Sequence, residues 1–148
     1  MKKLILVSGL LVGVSLSSVS FAENNFYCPA PSSIKAVPAT NPSPPSPGFN
    51  YVATDEAGVQ FESIAPVIGG TAPTIVSFDS ATWTNITNSG GYNGDAICFY
   101  SDSTGLPRSL TAKVSQSVMY EGSAWSNPGT PFYQCTSKNK QDCAFKFV

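Results

Sequence analysis

The chain has 148 residues with eight basic and nine acidic side chains, no histidine, and charged groups making up only 11% of it. That balance argues against nucleic acid or an anionic membrane as a partner, since either needs a basic face. The lack of histidine removes the commonest general base and most zinc and copper ligands.

Met1-Lys2-Lys3, an apolar run over residues 4–14, and Ser20-Phe21-Ala22 supply the charged, apolar and small-residue parts of a secretory signal cut after Ala22. The run is well short of the ~20 residues that cross a bilayer. No cysteine follows the cut to carry a lipid, the first being Cys28 behind Phe26 and Tyr27. The expectation is a secreted or periplasmic protein with no stable membrane insertion after cleavage. Residues 23–148 would then be one domain of 126 residues with six basic and nine acidic side chains, a net charge of −3.

Its four cysteines are Cys28, Cys98, Cys135 and Cys143. In an oxidising compartment an even set implies two disulfides. Cys135 and Cys143 flank a polar stretch that can reverse the chain, so they are expected to pair, leaving Cys28 for Cys98. A four-cysteine zinc site is disfavoured because no Cys-x-x-Cys spacing is present, and no cofactor is expected.

Taken in order, residues 24–37 are expected to form an N-terminal strand or extended arm pinned by the first disulfide. Residues 38–48 hold five prolines, a stiff polyproline-like surface loop rather than a ligand for a proline-binding partner. Alternation over 49–54 and 59–62, around Asp55-Glu56-Ala57-Gly58, predicts a hairpin. Residues 64–73 read as a loop, 74–83 as a strand, and 85–95 as a loop dense in Asn, Ser and Gly.

Residues 96–100 are the clearest strand, apolar on both sides, and are expected in mid-sheet and covered on both faces. After a turn, 110–115 alternate as a half-exposed strand that 116–120 extend past a bulge. Residues 121–131 form a loop holding Trp125, and 132–135 with 143–148 form a closing hairpin. No stretch after the signal sustains helical periodicity, so the fold expected is an antiparallel, disulfide-stabilised β-sandwich of about seven to eight strands.

With the cysteines committed to bridges, carboxylates are the remaining acid–base groups. A glycosidase needs two of them across a cleft, and most lie in apparent turns. A carboxylate-dependent hydrolase is thus the weakest reading. Trp83, Asn85, Tyr92, Asn93 and Asp95, with Trp125 from a neighbouring loop, set flat rings among amide and carboxylate groups, the chemistry that stacks on and hydrogen-bonds a sugar. The competing reading packs the rings at the core edge and leaves Asn and Gly to make turns.

Cys28-Pro29-Ala30-Pro31 with Ile34, Trp83 ahead of Ala96-Ile97-Cys98-Phe99-Tyr100, and Cys135 with Asp142-Cys143-Ala144-Phe145 resemble a family of small secreted bacterial proteins of unknown function from intracellular gram-negative pathogens. The resemblance implies departure by type II secretion and supplies no catalytic residue, its shared positions being those of a scaffold. The expected function is non-enzymatic binding of a host or envelope glycan or protein. The alternative is a periplasmic or surface assembly subunit that lends its N-terminal arm to a neighbour's sheet edge.

Overall fold

A computed structural model describes residues 25–39, 48–63, 65–85 and 94–148. The expected signal and most of the proline-rich loop lie outside the described residues, as does the middle of the 85–95 loop. Among the described residues there are twelve strands: β1 (Asn25–Phe26), β2 (Lys35–Pro38), β3 (Gly48–Thr54), β4 (Gln60–Ser63), β5 (Val67–Ile68), β6 (Ile75–Asn85), β7 (Gly94–Asp102), β8 (Pro107–Ala112), β9 (Val118–Glu121), β10 (Trp125–Gly129), β11 (Phe132–Cys135) and β12 (Ala144–Phe147). None of the described helices is long and apolar enough to cross a membrane.

The large sheet runs β10-β11-β6-β7-β8-β4-β3-β2, with β5 added beside the start of β3, and the small sheet is β1-β12-β9. All pairings are antiparallel. This is the expected sandwich, built from more strands, with a longer central pair, β6 and β7, and several strands of only two to four residues.

Alternation explains which face each strand buries. On β7, Ala96, Cys98 and Tyr100 are buried against the small sheet. Ile97 and Phe99 point to the other face and are only half-buried, so the expectation that β7 is covered on both sides is corrected. Its outer face is shaded sideways by Thr82 and Thr111, which flank Ile97 in register. Two bulges in β6 stretch the inward spacing to three residues, so Ile75, Phe78 and Ala81 all reach the core.

One turn is built twice. Asp55 leads the β3–β4 turn and Asp102 the β7–β8 turn, each followed at the third position by a glycine at positive φ, Gly58 (86°) and Gly105 (81°). Asp55 Oδ1 accepts from Ala57 N (3.0 Å) and Val59 N (2.8 Å). Asp102 Oδ1 accepts from Thr104 N (2.8 Å) and Leu106 N (3.1 Å).

Both expected disulfides are present, Cys28–Cys98 and Cys135–Cys143. The first pins the N-terminal arm across β7, where the Tyr100 hydroxyl donates to Pro29 O at 2.9 Å. The arm is docked in its own chain: Phe26 is fully buried and stacks on Phe145 and Phe147 at 5.3 and 5.0 Å.

Three expected elements are corrected. Residues 132–135 and 143–148 do not pair as a hairpin, because β11 joins the large sheet beside β6 and β12 sits between β1 and β9 in the small one. Residues 118–120 do not continue β8 but open β9 in the opposite sheet. Trp125 is not in a loop; it begins edge strand β10.

Candidate binding surface

Trp83 of β6 and Tyr133 of β11 are cross-strand partners on the inner face of the large sheet, and Trp125 lies opposite Cys135 on the same face. Tyr120 of β9 packs down onto all three rings. Centroid distances are 5.5 Å to Trp83, 5.6 Å to Trp125 and 4.3 Å to Tyr133, the last nearly parallel at 24°. Burial, and then a hydrogen bond with Tyr133, raise the Tyr120 phenol above its ordinary pKa.

The two tryptophans singled out in the sequence are thus joined through two tyrosines that sequence reasoning missed. They are not equivalent. Trp83 is 3% exposed, its indole N–H donates to Val118 O at 2.7 Å, and Gly94 presses so closely on it that a Cβ there would fall inside the indole ring. In this fold Trp83 is a core residue that caps a backbone carbonyl of β9 and backs the tyrosines. Trp125, Tyr120 and Tyr133 are half-buried, and the Trp125 indole N–H is buried with no acceptor.

The rest of the expected sugar-binding set is not gathered here. Asp95 is exposed and points to the outer face, opposite to Trp83, because Thr84 rather than Trp83 is its partner on β6. Asn85 closes β6 against Gly94, and Tyr92 and Asn93 lie outside the described residues.

The carboxylates are held by their own neighbours. Asp102 is buried and pairs with Arg108 at 2.6 Å, and Asp55 Oδ2 accepts from Tyr27 N at 3.0 Å. Glu121 and Asp142 line one shallow cleft. Glu121 is ion-paired to Lys146, while Asp142 accepts from Ser137 Oγ (2.7 Å) and Asn139 Nδ2 (3.2 Å). All four cysteines are in disulfides, so no thiolate is left as nucleophile or metal ligand.

A separate groove of about 510 Å³ opens near the β2 edge of the large sheet. Strand β2 begins opposite Val52, whereas β3 runs on to Thr54, and this notch is lined by Ser33, Lys35, Val52, Thr54, Gln60, Glu62 and Lys113. Lys35, Val52 and Glu62 form one transverse row that Thr111, Ile97, Thr82, Gln134 and Ser126 continue across the outer face. Alternation marks Val52, Gln60, Glu62 and Lys113 as outward-facing. Their adjacency depends on register across three strands, which local sequence does not carry.

Comparison with known proteins found no matching family model, no similar curated protein and no similar solved structure.

Proposed function

We propose that the protein is an exported, non-enzymatic binding protein whose half-exposed aromatic shelf recognises a glycan outside the cytoplasm. The observation that carries this reading is the stacked Tyr120–Tyr133 pair with Trp125 beside it, at the free edge of β9. Half-exposed rings held rigidly by a core tryptophan are ordered at little entropic cost, and aromatic surface suits the C–H face of a sugar. The N-terminal signal pattern and the two disulfides support work in an oxidising compartment. The motifs that resemble those of small secreted bacterial proteins extend the reading to release from the cell by type II secretion and to a role at the host surface.

A glycan array probed with residues 23–148, followed by titration of the best ligand, tests this. Binding should be lost in Trp125→Ala and Tyr133→Ala variants whose near-ultraviolet spectra outside the shelf are retained. Binding that survives both substitutions, or an array with no retained glycan, overturns it. Fractionating producing cells into periplasm, membrane and medium tests the export route, and protein confined to the cytoplasm would refute it.

A further inference from the structure

We infer that the groove beside Lys35 is a second binding site, independent of the aromatic shelf, for a carboxylate-bearing sugar unit of an acidic polysaccharide. Among the described residues five cations are paired: Arg108 with Asp102, Lys113 with Glu62, Lys138 with Asp79, Lys140 with Glu56 and Lys146 with Glu121. Of the six cations among the described residues, Lys35 alone has no carboxylate partner there, and it lines the groove.

Glu62, the groove's carboxylate, is occupied on both oxygens. Lys113 Nζ lies 3.2 Å from Oε2, and Asn50 Nδ2 donates to Oε1 at 3.2 Å. The acid therefore positions Lys113 at one wall while Lys35 stands free at the other. A ligand carboxylate placed in the notch gains a charge-assisted hydrogen bond from Lys35. Because residues 23–148 carry a net charge of −3, attraction of an anion must come from such a local arrangement and not from the molecule as a whole.

The remaining lining selects a sugar over a peptide. Ser33, Thr54 and Gln60 present hydroxyl and amide groups suited to a ring's hydroxyls, and Val52, Ala53 and Phe61 complete the lining with apolar surface for its C–H face. Strand addition by a peptide needs a run of open backbone. Inside the notch β3 outruns β2 by only Ala53 and Thr54, too short a stretch for a ladder, and the open edge of β2 beside it is the four residues Lys35–Pro38, closed by a proline.

The test is an amide NMR titration of the full secreted chain with tetragalacturonate, with maltotetraose as the neutral counterpart and polyglutamate as the acidic peptide. The expected result is shifts at Lys35, Val52, Gln60 and Lys113 with tetragalacturonate alone, weakening with added salt. Affinity should fall about tenfold in Lys35→Gln, be kept in Lys35→Arg, and be unchanged in Trp125→Ala. Lys35 is exposed on an edge strand, so its replacement leaves the fold intact. Equal binding of maltotetraose, tighter binding of polyglutamate with shifts at Ala36 and Val37, or no shift at about millimolar tetragalacturonate would each overturn the proposal. Loss of glycan binding in Trp125→Ala bears on the shelf and leaves this site standing.

Discussion

Asp55 and Asp102 are buried carboxylates placed at the same point of two hairpins, and what they do there is organise backbone. Each accepts two amide N–H groups of its own turn, while the glycine behind it takes the left-handed conformation that lets the chain return. Asp102 carries more: the Thr104 hydroxyl donates to Oδ1 at 2.6 Å and Arg108 Nε to Oδ2 at 2.7 Å. The Thr104 hydroxyl first, then Leu106 N–H, Arg108 and Thr104 N–H, hold this carboxyl well below the usual carboxylate range, against the opposing effect of burial. In the unfolded chain it titrates near ~4. The folded state is therefore favoured fully above that pH and loses the contribution as pH falls below it. Urea midpoints measured down a pH series should show this acid limb in the native chain and a flatter one in Asp102→Asn, with the variant less stable at neutral pH. A residue-scale steric constraint acts at Gly94, where a Cβ would enter the Trp83 indole. Gly94→Ala should cost about 1–3 kcal/mol by overpacking and shift Trp83 fluorescence. Gly70→Ala, with nothing near its added methyl, should leave both unchanged within error.

Elements whose sequence alternates cleanly were legible, and those whose pattern is set by the other sheet were not. Strand β7 announces itself as a continuous apolar run and the β3–β4 hairpin by apolar residues at every second position, each bounded by turn residues. Strand β10 carries no such signal, since after Trp125 it is exposed and contains Pro128 and Gly129, as suits a sheet edge. The pairing of β12 was misread because the disulfide partners lie close in sequence, whereas Tyr133 of β11 and Phe145 of β12 face one core from opposite layers. The polar residues between them cross the sandwich, turning at Lys140–Asp142 with Asn139 Oδ1 capping Gln141 N. The same gap hid the candidate surfaces: Trp83 and Trp125 could be flagged as rings, but their division into core and shelf is set by β9, and the Lys35 groove by register. This changes what the short disulfide does. Cys135–Cys143 ties the large sheet to the small one, so its loss loosens the sandwich and not a hairpin end. Replacing both cysteines by serine should cost about 2.5 kcal/mol against about 4 kcal/mol for the Cys28/Cys98 pair by loop entropy. Amide exchange in the first variant should rise in both β11 and β12. Faster exchange confined to residues 136–142 would contradict the cross-sheet role.

At the scale of the whole molecule the chain closes on itself, its first described strand completing a sheet whose middle strand is its last. Strand β12 pairs Phe145 with Phe26 on one side and Tyr120 on the other. The small sheet, which covers β7 and supports the aromatic shelf, therefore cannot exist without residues 144–147. Such non-local pairing places these molecules among slow-folding β proteins. It also makes the arm part of the core: donating it to a neighbour would withdraw Phe26 and strain against Cys28, which is bridged to Cys98. A stop codon after Cys143 removes the central strand but spares both disulfides. A stop after Phe147 removes only Val148, 65% exposed with its N–H donating to Ser117 O. The longer truncation discards fully buried Phe145 along with Phe147, a loss of about 3–5 kcal/mol for one such ring alone against a typical total of about 5–15 kcal/mol. Hydrogen exchange should then show Phe26 and Tyr120 unprotected while β6 and β7 keep residual protection behind the Cys28–Cys98 bridge, and the shorter truncation should match the intact chain. Retained protection at β1 and β9 without β12 would mean that those strands are held by the large sheet, and that Trp83 anchors the aromatic shelf without help from Phe145.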